Sequence, residues 1–419
     1  MESLSSKFSN KCGKATVSKS TVERLIISRQ DYDVHVSICA DLFWFINASV
    51  KNPIANVDRV TDSIYKEILS VIPRNNIIPV HERIFCSLDT ETTIKNARDN
   101  AVSGLDSFRT QPLTIVAGRP LWGEGLAGIQ IWGLNESRLQ SSIMEVSDSE
   151  TNTKLGKTWV LNGNQFIVLQ NLMDSSQIGN SPEEFRENQA DLIFEKANRT
   201  LKQAGFSYKN VVRTWIYISR ILDWYNSFNI VRNRKYASFG LRPTSSQETD
   251  GAPLPLPAST GIQGENSKES ACVMDLLAIR PTNINSAVVT HLTNIKQKDA
   301  YKYGAAFSRG VCIKHDECTE IQVSGTAAID RSGKSMYSDD PAAQISATID
   351  NIEALLAPLK ASVSDFVSGT IFFKRPEDVD FWVKEADKRG LKNLPVVSVI
   401  ADICRPELLF EMDGIAFSK

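Results

Sequence analysis

"ENQADLIFEKANRTLKQAGFSYKNVVRTWIYISR" (Glu187–Arg220) and "AAQISATIDNIEALLAPLKASVSDFVSGTIFFKR" (Ala342–Arg375) align without a gap, 155 positions apart. Six pairs are identical (Gln189/Gln344, Leu201/Leu356, Ser207/Ser362, Val212/Val367, Ile216/Ile371, Arg220/Arg375), and apolar positions match around them. Self-similarity of this kind marks a repeated supersecondary unit. Each copy reads as an amphipathic helix, a short polar turn and a strand rich in β-branched and aromatic residues.

A second match follows at an offset of 138: "LPASTGIQGENSKESACVMDLLAI" (Leu256–Ile279) against "LPVVSVIADICRPELLFEMDGIA" (Leu394–Ala416), sharing a Leu-Pro and a Met-Asp pair. The change of offset gives the first copy extra residues, expected as a loop in or near Arg232–Pro255. Upstream, "FIVLQNLMD" (Phe166–Asp174) corresponds to "EIQVSGTAAID" (Glu320–Asp330) as an early strand. Two modules emerge, Thr158–Arg280 and Ala300–Lys419, each ordered strand, helix, strand, helix, strand, strand.

The chain has 419 residues, which suggests two or three domains. Apolar and charged contents of 42% and 23% suit a soluble globular protein. A formal charge of -2 argues against nucleic-acid or membrane binding driven by bulk charge, so anion binding must come from a local arginine cluster. The seven cysteines form no CxxC pair and read as reduced thiols of a cytoplasmic protein. The four histidines are scattered and suggest no metal site. No apolar run reaches the ~18 residues of a membrane span. Residues 1–20 are Ser- and Lys-rich without the apolar stretch of a secretory signal, and read as a flexible tail.

The last strand of the second copy carries an acid. In "LLFEMD" (Leu408–Asp413) alternate side chains face opposite ways, so Phe410 and Met412 share one face and Glu411 and Asp413 the other. A carboxylate within an apolar strand needs a partner or a task. Glu411 aligns with Val273, so only one copy has it, which favours one active site per pair of modules.

The second copy resembles the RidA/YjgF family over its whole length, and by motif position the family's functional Glu is Glu411. The family's carboxylate-holding arginine belongs to a P-x-R-S step. Here the step reads Pro395-Val396-Val397-Ser398, which disfavours an imine deaminase. From about residue 75 onward, "HERIFCSLD" (His81–Asp89), "AGRPLWGEGLAGIQIWGL" (Ala117–Leu134), "NVVRTWIYIS", "LPASTGI", "YGAAFSRG" and "CRPELLFE" together resemble the chorismatases. That resemblance implies an α+β fold of tandem RidA/YjgF-like (chorismate-mutase-like) modules with an N-terminal α/β domain. The expected division is 21–150 for the N-terminal domain, 155–280 for module 1 and 290–419 for module 2 with the catalytic Glu. It also implies an enzyme that releases the enolpyruvyl group of chorismate as pyruvate, leaving a hydroxybenzoate or a dihydroxycyclohexadiene carboxylate, with no metal and no organic cofactor.

Chorismate is a dianion with an enol ether, and cleavage begins with a proton placed on the methylene carbon. The protein must then supply a carboxylic acid that is neutral near pH 7 and cationic clamps for carboxylates. Burial raises a Glu pKa, which suits Glu411. The turn "CRPE" (Cys404–Glu407) is expected to join two strands so that Cys404 and Glu411 meet across a hairpin. The resemblance gives Cys404 a part in steering the product toward 3-hydroxybenzoate; a packing thiol is the other reading. Arg213 and Arg309 are the candidate clamps, because a guanidinium grips a carboxylate bidentately. Tyr217 shares a strand face with Arg213 and Trp215, opposite Thr214, Ile216 and Ile218. Ser259, Thr260 and the Gly261 amide either bind substrate or form a structural turn, and Ala306 resembles a small residue that leaves room for the ring. Arg232 and Arg234 are expected on the exposed face of a helix. A second function stays open, a non-catalytic or diverged RidA-like protein binding another carboxylated metabolite. The partner in either case is a small molecule, bound by a monomer that imitates a trimer or by a homo-oligomer.

Overall fold

The computed structural model describes residues 22–72, 76–241, 254–282 and 289–419. The tail expected at 1–20 lies outside the described residues. The first unit runs β1 (Val22–Ser28), β2 (Tyr32–Cys39), β3 (Phe43–Val50), α1 (Val57–Val71), β4 (Ile77–Cys86), α2 (Glu91–Ala101), β5 (Thr114–Ala117) and β6 (Leu126–Asn135). The middle unit follows with β7 (Met144–Ser147), β8 (Lys154–Leu161), β9 (Asn164–Leu172), α3 (Pro182–Gln203), β10 (Val211–Ile218), α4 (Ile221–Ser238), β11 (Ala258–Gln263) and β12 (Cys272–Pro281). The third comprises β13 (Val289–Leu292), β14 (Gly310–Lys314), β15 (Thr319–Ala327), α5 (Pro341–Leu356), β16 (Phe366–Phe373), α6 (Val379–Arg389), β17 (Val396–Ile400) and β18 (Phe410–Ser418).

Each unit is one six-stranded sheet, and the three strand orders are the same: β1-β2-β3-β6-β4-β5, β7-β8-β9-β12-β10-β11 and β13-β14-β15-β18-β16-β17. In each sheet only the last pair is parallel (β4/β5, β10/β11, β16/β17), as a helical crossover demands. The α+β class and the tandem modules are as expected. The N-terminal part, expected to be a different kind of domain, is a third copy of the same unit.

Several repeat identities now have physical causes. Ser207 and Ser362 each open a capping box, with Asn210 and Asp365, that aims the chain into β10 and β16. Gln189 accepts from Ala271 N–H at 2.7 Å, and Gln344 accepts from Leu409 N–H at 2.8 Å. Each glutamine thus ties a helix to the backbone just before the last strand of its unit. Both helices begin at a proline behind a capping residue: the Ser181 side chain accepts from Glu184 N–H, and the Asp340 side chain from Ala343 N–H. The extra residues of the middle unit correct one expectation. Arg232–Ser238 are the last turns of α4 rather than loop, and 242–253 lie outside the described residues.

Helices cover the outer face of each sheet. Ile193, Phe194, Ala197 and Leu201 of α3 pack on the middle sheet, and Ile345, Ile349 and Ile352 of α5 pack with Phe410 and Met412 on the third. The inner faces meet in an aromatic centre drawn from all three units. Phe45 stacks on Trp132, Trp132 meets Trp159 edge-on, and Trp159 stacks on Phe166. Phe417 closes the ring against Phe43 and Phe45. Equivalent strand ends from the three units (Ala117, Gln263, Ile400) border one cleft, and equivalent turns (Leu42, Asn162, His315) border another. The units are therefore related by an approximate threefold axis with a seam between each pair. No described helix is long and apolar enough to cross a membrane.

Candidate active site

The seam between the middle and third units is closed by backbone. Ser308 N–H donates to Pro257 O (3.0 Å), and Ser259 N–H donates to Ser324 Oγ (2.9 Å). Further along, Gln263 N–H donates to Asp402 O (3.1 Å). Between these contacts and α4 lies a cavity of about 360 Å³, with Glu411 in its wall.

Strand alternation sets Glu411. Phe410 and Met412 are buried toward α5 and α6, which turns Glu411 and Asp413 into the seam. Glu411 is 4% exposed, and its pKa is pushed up to about 8 by burial first and by the Asp413 charge second, against the opposing pull of Arg213 and Arg309. Its carboxyl is therefore neutral at pH 7. Gly325 makes the space: a Cβ built there would stand 2.2 Å from Glu411 Oε1.

Three arginines line the same cavity. Arg309, 2% exposed, donates from Nε to Lys298 O (3.1 Å) and from Nη2 to the Tyr303 hydroxyl (2.9 Å). Arg232, 1% exposed, donates to Asn229 Oδ1. The Phe307 ring is shared by these two guanidiniums, each 5.6 Å from its centroid. Arg405 lies over the Tyr303 ring and donates to Gly333 O (3.0 Å). Among the described residues, none of the three lies within ion-pair distance of a carboxylate. Cation–π contacts and neutral acceptors hold the guanidiniums and leave their charge uncancelled.

Helix α4 brings Arg232 in. The chain enters at Arg220 in the left-handed region (φ 50), and the helix breaks at Trp224 (φ -146, ψ 15), whose indole donates to Ser219 O at 2.8 Å. Beyond the break, Tyr225, Asn229 and Arg232 recur on one face and line the cavity.

Glu411, Cys404, Arg309, Ser259 and Gly261 of the expected residues line this cavity. Cys404 does so without a hairpin: β17 pairs with β16 and not with β18, and the connection 401–409 carries the thiol in. Burial, with the Glu411 charge behind it, pushes the Cys404 thiol up to about 12 and keeps it protonated.

The other four expected residues stand elsewhere. Arg213 is buried behind Glu411, where its Nη2 donates to Thr260 Oγ1 (2.7 Å) and Asp413 Oδ2 (3.0 Å) and its guanidinium lies over Trp215. Thr260 donates to the same Asp413 oxygen at 2.6 Å. The Tyr217 hydroxyl accepts from Arg83 Nη1 (3.0 Å). Ala306 is in the core of the middle unit, and its neighbour Ala305 borders the cavity instead. Arg234 is exposed and pairs with Asp191, as expected, but Arg232 is not exposed. The missed signal was helical spacing: Arg232 falls four residues after Phe228 and seven after Tyr225, on the buried face.

The other two seams are filled. Val273, the counterpart of Glu411, is buried with Val116, Tyr217 and Ile262 between the first and middle units. Below it His81 and Thr114 hold Asp275 at 2.9 and 2.7 Å, as Arg213 and Thr260 hold Asp413. Between the third and first units, Val397 and Val399 press onto Gly128 and Gly118, so that a Cβ on either glycine would come within 2.7 and 2.3 Å of a valine methyl.

No protein-family model matches the sequence, and no curated protein matches it. Among solved structures, single-module proteins match about one third of the chain. They include a putative endoribonuclease L-PSP from Entamoeba histolytica (18% identity, 31% of this chain and 98% of that one, TM-score 0.27) and the YjgF gene product of E. coli (19% identity, 31% and 99%, TM-score 0.26). A crystal structure of a chorismatase matches far more, at TM-score 0.57 over 81% of this chain and 93% of that chain, with 17% sequence identity. The chain therefore shares the fold of that chorismatase across all but a fifth of its length.

Proposed function

We propose that the chain cleaves the enolpyruvyl ether of chorismate, releasing pyruvate. The observation that carries this reading is a buried carboxyl, neutral at pH 7, opening into one cavity with three arginines that, among the described residues, no carboxylate neutralises. A dianion completes such a site, because desolvated cations without partners are costly until an anion arrives. The shared fold with a chorismatase supports the same substrate.

The steps follow from the groups available. Glu411 gives its proton to the methylene carbon of the enol ether, and the adjacent ether carbon becomes an oxocarbenium centre. Water adds there, its proton returns to the Glu411 carboxylate, and the resulting hemiketal collapses. The bond between that carbon and the ring oxygen breaks, the oxygen takes a proton, and pyruvate leaves. Glu411 thus acts as general acid and then accepts the proton back. Arg232, Arg309 and Arg405 hold the carboxylates and offset the charge of the departing pyruvate. Ser259 and the Gly261 backbone at the cavity wall orient the ring. The ring product of these steps is the dihydroxycyclohexadiene carboxylate; loss of its other hydroxyl as water, with the proton from the neighbouring oxygen-bearing ring carbon, gives 3-hydroxybenzoate, the outcome that the neutral Cys404 thiol beside the acid supports.

The test is to incubate purified protein with chorismate and follow pyruvate with a coupled dehydrogenase. Wild type should release pyruvate and Glu411→Gln should not. No release by well-folded wild type overturns the proposal.

A further inference from the structure

Arg213, Thr260 and Asp413 form a buried chain across the seam, and substrate does not reach it. Thr260 Oγ1 accepts from Arg213 and donates to Asp413 Oδ2, while Asp413 Oδ1 accepts from Thr370 N–H at 3.0 Å. Both Asp413 oxygens are thus held by donors. Asp413 lies two residues from Glu411 on the same strand face. Glu411 Oε1 and Thr260 Cγ2 both flank Gly325, 2.2 and 3.3 Å from a Cβ built there. Two carboxyls sharing one desolvated seam cannot both ionise cheaply.

We propose that Asp413, held across the seam by Arg213 and Thr260 of the middle unit, is a positioning residue for the acid: its carboxylate behind the strand helps keep the proton on Glu411. Arg213 is then no substrate clamp. The other charged or titratable groups facing Glu411 are Arg309 and Cys404 beside it, Arg213 behind it, and Arg232, Arg405, Tyr303 and the neutral Tyr225 phenol around the cavity. Arg309 in the cavity and Arg213 behind the strand favour ionisation, and burial first and Asp413 second oppose it. The same layout recurs at Asp275, where a valine replaces the acid and there is no proton to hold.

The catalytic consequence rests on the proton-donor role proposed for Glu411; the electrostatic coupling does not, and it is read without substrate. The midpoint for loss of the Glu411 carboxylic-acid infrared band, identified by subtracting the Glu411→Gln spectrum, is titrated in wild type and variants. Asp413→Asn should lower the midpoint by about 1–3 pH units. Arg213→Met should raise the Glu411 midpoint, because that cation favours ionisation of the acid. The double variant, which leaves neither charge unpaired, should fall below wild type by less than Asp413→Asn, and it carries the test if that single variant fails to fold. Midpoints that stay with wild type, or that move the same way in both single variants, overturn the proposal. Pyruvate release then reads the other question separately: coupling without turnover sinks the chorismate reading alone.

Discussion

Replacing Glu411 by Gln keeps the shape and removes the titration, so it isolates what a buried acid costs the fold. An ordinary Glu near 4.5 is raised here to about 8. A carboxyl whose folded pKa lies above its unfolded value favours the folded state fully below the unfolded pKa, and that contribution is lost as pH rises through the folded pKa. Between those limits the unfolded chain has released the proton and the folded chain still holds it. Stability of wild type relative to Glu411→Gln should fall by about 1.4 kcal/mol per pH unit. From about pH 5 to about pH 8 the change is about 4 kcal/mol, of the order of a third of a typical domain's stability. Urea unfolding of both proteins at several pH values, followed by tryptophan fluorescence, measures the difference. The two should converge toward low pH, diverge in favour of the variant as pH rises, and run parallel above about pH 8. A constant difference across the window would refute a neutral Glu411.

Other perturbations test the surroundings of the acid. Gly325→Ala sets a methyl 2.2 Å from Glu411 Oε1, so the carboxyl must move, and pyruvate formation should fall about 100-fold while a thermal melt still shows a cooperative fold. Arg232→Met removes a buried cation that has no carboxylate partner among the described residues; KM for chorismate should rise about 10-fold or more while Tm holds or increases, and a fall in both would point to a structural arginine. Cys404→Ala should change the ratio of ring products by mass spectrometry with pyruvate release largely retained, and the native thiol should resist iodoacetamide at neutral pH because it stays protonated. Gln344→Ala breaks the helix-to-strand tie at Leu409 N–H and should cost about 1–3 kcal/mol.

Much of this was legible from residues alone. The repeat between Glu187–Arg220 and Ala342–Arg375 predicted β10 and β16 at the same offset, Val211–Ile218 against Phe366–Phe373. Two of its identities, Gln189/Gln344 and Ser207/Ser362, fall on tying and capping residues, whose geometry tolerates few side chains, and three more are buried apolar positions. Strand alternation put Glu411 and Asp413 on one face, because a pleat leaves no other choice. The third copy escaped notice because hydrogen-bonded strand order rests on backbone groups, and these persist after side-chain similarity has gone.

What the sequence determined by itself is local: which segments pair a helix with a strand, where each helix is capped, and which side of the last strand carries the acids. The tertiary structure alone decided which arginines meet the acid's cavity and which stand behind it. Arg213 and Asp413 are 200 residues apart and become a pair only when two units share a seam, whereas Arg232 is turned inward by a helix broken at Trp224. The partner of a buried charge is set by distances across an interface, and no local pattern along the chain encodes those distances.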